Sequence, residues 1–172
     1  IYSVLIYWMV GFYSSAAAFF TFVFGLFVMA MTMTALFRLI GSVSPNIQIA
    51  NILSGVSLLS FLLYTGYIIP LSSMKGWFIS IRYINPLAWG FAAMLLNEYQ
   101  DLVFECTRPY LVPYGAGYND LRYKVCMIAG AQPASDRVSG RDYMRAQLSA
   151  HVPMLWPDIV ITIGFWALYV AL

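Results

Sequence analysis

The chain has 172 residues, of which 62% are hydrophobic, 17% aromatic and only 9% charged, with a net charge of +2. Soluble domains carry about a quarter charged residues, so this chain has too little polar surface to face water on all sides and must mostly face lipid or other membrane helices. A small net charge without a basic cluster interleaved with aromatics excludes nucleic acid as a partner.

Before Glu98 the only charges are Arg38, Lys75 and Arg82, whereas residues 98–158 hold all seven acids and the other six basic residues. This predicts a membrane half, a wet segment and one last apolar stretch. The first run, Ile1 to Trp8, has no charged region or small-residue cleavage site, so it does not read as a signal peptide. Both ends are expected to be cut from a longer protein.

Ile1 to Val10 reads as the end of a spanning helix, and Gly11 to Ser15 as an interfacial turn. Ala16 to Ile40 has no charge until Arg38 and extends roughly 36 Å as a helix, enough for a bilayer core of about 30 Å. On it Gly25, Met29, Thr32 and Leu36 share one face, read as a close contact through small residues, with a substrate-lining face as the alternative. Gly41 to Asn46 is a tight connection, because Pro45 cannot continue a helix, so the next helix runs antiparallel. That helix, residues 48–70, carries Asn51, Gly55, Leu59, Leu62 and Gly66 on one stripe. An Asn and two Gly on a stripe mark a face turned toward protein or water.

The helix is expected to end between Gly66 and Pro70, with Tyr64, Tyr67 and Trp77 at headgroup depth and Lys75 and Arg82 reaching toward water. Asn85 is a natural cap and Pro86 fits the first turn of a new helix. Leu87 to Leu96 is too short to cross, so residues 74–99 are read as a re-entrant hairpin packed on neighbouring helices. Trp156 to Leu172 is the last span.

The wet segment, residues 100–154, is punctuated by Gly and Pro and holds the only two cysteines, Cys106 and Cys126. Paired, they would close a loop worth about 3 kcal/mol and place it outside the cytosol; the alternative is two free thiols in a cytosolic loop. Cys106, Cys126 and His151 lack the short spacing of a metal site, and no metal is expected. Glu98, directly after an apolar helix, is a candidate for gating or proton sensing if membrane-buried, although a partner at the helix end is the reading preferred. No catalytic signature is present, and Gly115-Ala116-Gly117 lacks the Lys-Ser/Thr of a phosphate loop.

Tyr64-Thr65-Gly66-Tyr67-Ile68-Ile69-Pro70, Met74, Trp77, Arg82-Tyr83-Ile84-Asn85-Pro86-Leu87 and Asn97-Glu98-Tyr99 together resemble the membrane domain of fungal pleiotropic drug resistance ABC transporters of the G subfamily. Phe19-Phe20-Thr21-Phe22, Ala35-Leu36-Phe37-Arg38, Pro113 to Tyr118, Gly130 to Pro133 and Val138 to Tyr143 fit as well, and the wet loop is closer to the first membrane half than to the second. The resemblance implies an all-α integral membrane protein of ABC-2 type. Residues 1–10 would end the third membrane helix, 16–40 would be the fourth, 48–70 the fifth and 156–172 the sixth. It also implies an extracellular loop over 100–154 with a Cys106–Cys126 bridge. Asn51, Gly55, Leu59 and Leu62 would line the substrate cavity, Tyr67 and Ile68 would form a plug, and Asn85, Pro86 and Glu98 would mark the re-entrant motif.

No cofactor is expected in this chain; ATP and Mg would sit in nucleotide-binding domains elsewhere. Those domains, the second membrane half, the lipid bilayer and hydrophobic small molecules would be its partners, in a multi-pass plasma-membrane protein exporting drugs, sterols or lipids. Two departures stand out: Ala92 where many relatives carry an acid, and Trp156-Pro157-Asp158 in place of a basic, Asn-containing start to the last helix. The rival reading is a non-transporting receptor or assembly subunit with a disulfide-bonded ectodomain.

Overall fold

A computed structural model describes residues 2–12, 15–66, 68–69, 75–107, 109–113, 120–148 and 154–172. Helix α1, Tyr2–Val10, stops at Gly11, whose φ of +72° suits a residue without Cβ. Its Tyr7 is buried among Phe12, Phe19 and Phe22, with ring centroids 5.0–5.5 Å away. Helix α2, Ala16–Val43, is 28 residues long and is the one unbroken helix among the described residues that is long and apolar enough to cross a membrane. It continues past Ile40 because Gly41 and Ser42 remain helical, the Ser42 hydroxyl donating to the Leu39 carbonyl at 2.8 Å. Pro45, which has no N–H, then enforces the end.

Helix α3, Ile47–Leu63, starts on Asn46, whose side chain accepts from the Ile49 amide at 3.1 Å. It ends at Leu63 instead of running to Pro70. The Thr65 hydroxyl takes the Leu62 carbonyl at 2.9 Å, and Gly66 adopts φ +90°, a local stop that the hydropathy of the run conceals. Helices α4, Gly76–Ile84, and α5, Pro86–Tyr99, follow, bent by 81° where Asn85 separates them.

Helix α5 is the centre of the bundle, packed against α2 and against α7, Leu155–Ala171. Its sequence explains this: Ala88, Gly90, Ala92 and Ala93 are small and buried, letting neighbouring backbones approach. On the antiparallel α2–α5 contact, Met94 fills the space over Gly25 and Met29 the space over Gly90. The four-residue spacing of Gly25 and Met29 matches that of Gly90 and Met94, so each flexible side chain finds a hole opposite. Thr32 is also buried, donating to the Val28 carbonyl at 2.8 Å and the Thr162 carbonyl at 3.2 Å. The face with Gly25, Met29, Thr32 and Leu36 is thus a helix contact.

The wet segment departs from purely helical structure. Strand β1, Val103–Glu105, pairs antiparallel with β4, Arg137–Ser139, and β2, Leu111–Val112, with β3, Val125–Cys126. Cys106 and Cys126 are disulfide-bonded and share a small core with Val138. Helix α6, Gly140–Leu148, buries Met144 against Ala92 of α5. The segment is seated directly on the end of α5: the Gly140 amide donates to the Leu102 carbonyl at 2.9 Å, and a Cβ there would strike the Tyr99 carbonyl.

Candidate translocation path

Helix α3 uses one face to pack and leaves another bare. Ala50, Ser54, Ser57, Ser60 and Phe61 are half-buried, whereas Asn51, Gly55, Leu59 and Leu62 are exposed, Leu59 by 64% and Leu62 by 42%, together with Ile52, Leu53, Val56, Leu58 and Leu63. At about 100° per residue the two sets lie on different sides of the helix. A Cβ added at Gly55 would meet nothing within 4 Å. A cavity of about 300 Å³ between α2 and α3, lined by Leu39, Val43, Leu53 and Ser57, opens on the side away from the stripe. Ile68, beyond the helix, is 59% exposed; Tyr67 lies outside the described residues.

The corner between α4 and α5 is anchored to α3. Asn85 is fully buried, its side-chain oxygen accepting from the Leu87 amide at 3.0 Å and its Nδ2 donating to the Phe61 carbonyl at 2.8 Å. One residue therefore caps α5 and takes a carbonyl near the end of α3. Pro86 occupies the first helical position, where its missing N–H costs nothing.

Arg82 departs from expectation. Instead of reaching toward water it is 2% exposed, its guanidinium carbon 6.0 Å from the centroid of Trp89. The bend turns α4 so that the side chain points into the bundle, and Trp89, whose Nε1 donates to the Tyr83 carbonyl at 3.1 Å, closes over it. Lys75 remains exposed. Asp158, read in the sequence only as a departure at the start of the last helix, is fully buried in the first turn of α7. Asn97 is buried too, its Nδ2 donating to the Ala18 carbonyl at 2.9 Å. Sequence reasoning singled out none of Arg82, Trp89, Asn97 or Asp158 as buried polar groups; a charge inside an otherwise apolar run was the available signal. Glu98 is half-buried in the last turn of α5.

The ABC-2 type transporter family matches residues 1–99, and the CDR ABC transporter family matches residues 112–172. The Brefeldin A resistance protein of Schizosaccharomyces pombe is 34% identical over 172 residues, covering 99% of this chain and 11% of that protein. ABC multidrug transporter I of Aspergillus fumigatus is 37% identical, covering 98% of the chain and 12% of the relative. The ATP-dependent permease AUS1 of Saccharomyces cerevisiae is 35% identical, covering 99% and 12%. The chain thus spans 11–12% of the length of these relatives.

Proposed function

The chain belongs to the ABC-2 type transporter family, and from that premise we propose that it is the membrane-spanning part of an ATP-driven exporter of amphipathic drugs, sterols or lipids. The observation that carries this reading is the stripe of Asn51, Gly55, Leu59 and Leu62, bare on a helix that packs through another face. A lipid-facing surface has no use for an asparagine and a glycine amid leucines, whereas a cavity wall does: the amide offers hydrogen bonds and the glycine leaves room. Tyr67 and Ile68, just past the end of α3, are the plug between cavity and outlet.

The bent α4–α5 pair is the re-entrant element that carries the chain back into the bilayer edge. At the corner the Asn85 side chain accepts from the free Leu87 amide of α5 and donates to the Phe61 carbonyl of α3, the kind of satisfaction that a break at that depth requires. The wet segment faces the exterior, where its disulfide is chemically favoured. Nucleotide-binding domains outside this chain would hold ATP and Mg, and a second membrane half would complete the cavity in a multi-pass plasma-membrane protein. A substrate is moved only when the two states of the cavity bind it differently; closing an apolar pocket around Leu59 and Leu62 supplies that difference.

In the intact transporter, Leu59→Ala and Leu62→Ala are expected to change which drugs are exported while ATPase activity persists. An unchanged drug profile for both variants removes α3 from the cavity wall.

A further inference from the structure

At the end of the bundle away from the wet segment, α2 and α7 part around a cavity of about 340 Å³ that the exporter reading does not use. The Asn97 side chain, where α5 leads into the wet segment, donates to the Ala18 carbonyl, so that segment sits beside the start of α2. Arg38 stands about 30 Å further along the helix axis, a bilayer core away. Helix α7 runs parallel to α2: the Thr32 hydroxyl reaches the Thr162 carbonyl, and Arg38 and Tyr169 both lie about two turns beyond that bond. They line the cavity together with Trp166, and Met31 and Val170 add apolar wall.

The cavity is rich in donors and poor in negative charge. Arg38 is exposed, is the only charge on α2, and makes no ion pair among the described residues. All seven acids of the sequence fall within residues 98–158, and the last, Asp158 in the first turn of α7, is about 16 Å of helix away from Tyr169. The Thr34 and Ser42 hydroxyls, which also border the space, donate to the Ala30 and Leu39 carbonyls. The Trp166 N–H and the Tyr169 O–H make no hydrogen bond among the described residues. A guanidinium, an indole and a phenol at headgroup depth, beside an apolar wall, match a phosphate whose acyl chain lies along Met31 and Val170. We propose that this cavity seats the headgroup of an anionic phospholipid of the leaflet remote from the wet segment, with Arg38 as charge partner and Trp166 and Tyr169 as flanking donors. Its binding does not depend on export.

For the test, the intact transporter in detergent is titrated with phosphatidylserine, with phosphatidylcholine of the same acyl chains and with inorganic phosphate, and bound lipid is counted by native mass spectrometry. The native protein is expected to take phosphatidylserine about fivefold more tightly than phosphatidylcholine, the share of one basic side chain near a membrane surface. Arg38→Gln brings that ratio close to one, Arg38→Lys keeps most of it, and Tyr169→Phe lowers it by less than Arg38→Gln does. Should Arg38→Gln fail to accumulate, Ser42→Glu decides: exposed and one turn from Arg38, the new carboxylate pairs with the guanidinium and repels the headgroup, so the ratio falls toward one. A ratio near one in the native protein, with Arg38 served by water or the cavity filled by another part of the transporter, overturns the proposal. So does a ratio that Arg38→Gln or Ser42→Glu leaves intact, which places the headgroup elsewhere. An unchanged ratio in Tyr169→Phe removes that hydroxyl from the site. Displacement of the lipid by an equal concentration of inorganic phosphate makes this a free-anion site and overturns the lipid. A transporter that binds phosphatidylserine in this way but exports no drug sustains the site and refutes only the exporter reading.

Discussion

Helices α3 and α5 invite comparison because they start alike and end in opposite situations. Each is an apolar helix opened by an asparagine cap, Asn46 for α3 and Asn85 for α5. Yet α3 has no buried residue, whereas α5 buries eight, from Pro86 to Asn97. Side-chain size accounts for the contrast. Helix α5 offers Ala88, Gly90, Ala92 and Ala93, which let α2 and α7 close on it, while α3 keeps its small Ala50, Ser54, Ser57 and Ser60 on its half-buried side and shows Ile, Leu and Val over most of the rest. In a membrane domain there is no hydrophobic force pulling apolar helices together, since lipid is as apolar as leucine, so close fit decides which helix becomes the core. On the proposed cavity reading, the helix that is not closed upon is the one left to border a substrate that comes and goes.

The largest effect that would sharpen this contrast comes from filling the tightest contact of α5. A Cβ at Gly90 would already stand 2.7 Å from the Met29 Cε and 3.5 Å from its Cγ. Gly90→Ala displaces only the end of a flexible side chain, but Gly90→Leu has to move the whole of Met29 and the helix behind it. Overpacking of this kind costs about 3 kcal/mol or more. The intact transporter carrying Gly90→Leu should show a clear fall in its thermal midpoint and in the amount reaching the membrane. A midpoint equal to the native one would mean that α5 is not tightly held between α2 and α7.

Asn85→Ala comes next. It removes the cap of α5 and the partner of the part-buried Phe61 carbonyl in one step, a loss of about 2 kcal/mol from the two contributions. Because the same side chain also joins the corner to α3, the loss should be accompanied by faster proteolysis near residues 64–76. A variant that loses stability without new cleavage there would keep the cap and break the link.

How much of this was legible beforehand follows from the same contrast. Helical periodicity alone puts Asn51, Gly55, Leu59 and Leu62 on one side of α3, and they are exposed, but so are Ile52, Leu53, Val56 and Leu58, so exposure by itself does not single the stripe out. The Asn85-Pro86 start of α5 was readable because cap and first-turn proline are local chemistry. The early end of α3 at Leu63 was not, since it depends on one Thr65 hydroxyl and a positive φ at Gly66 inside an unbroken apolar run. The burial of Arg82 was hidden for another reason: a basic residue near a membrane surface normally extends toward water, and only the 81° bend aims it inward. Asp158 was visible as an oddity, but its burial depends on the packing of α7 against α2 and α5, which lie far away in the chain, a separation that no local pattern spans.

The smallest effect on stability, and the one that tests the comparison most directly, is the same substitution moved from α5 to α3. Gly55→Leu adds four carbons where nothing stands within 4 Å, and leucine is a better helix former than glycine by about 0.8 kcal/mol. The thermal midpoint should therefore hold or rise slightly. On the cavity-wall proposal export should not be spared, because the new side chain would then project into the path and narrow it for the bulkiest compounds first. A Gly55→Leu protein with a native midpoint and selective loss of large drugs is what a cavity wall predicts. If Gly55→Leu instead destabilises as severely as Gly90→Leu, the stripe is packed against a neighbouring helix in the whole transporter, and the two helices differ only in which partner closes on them.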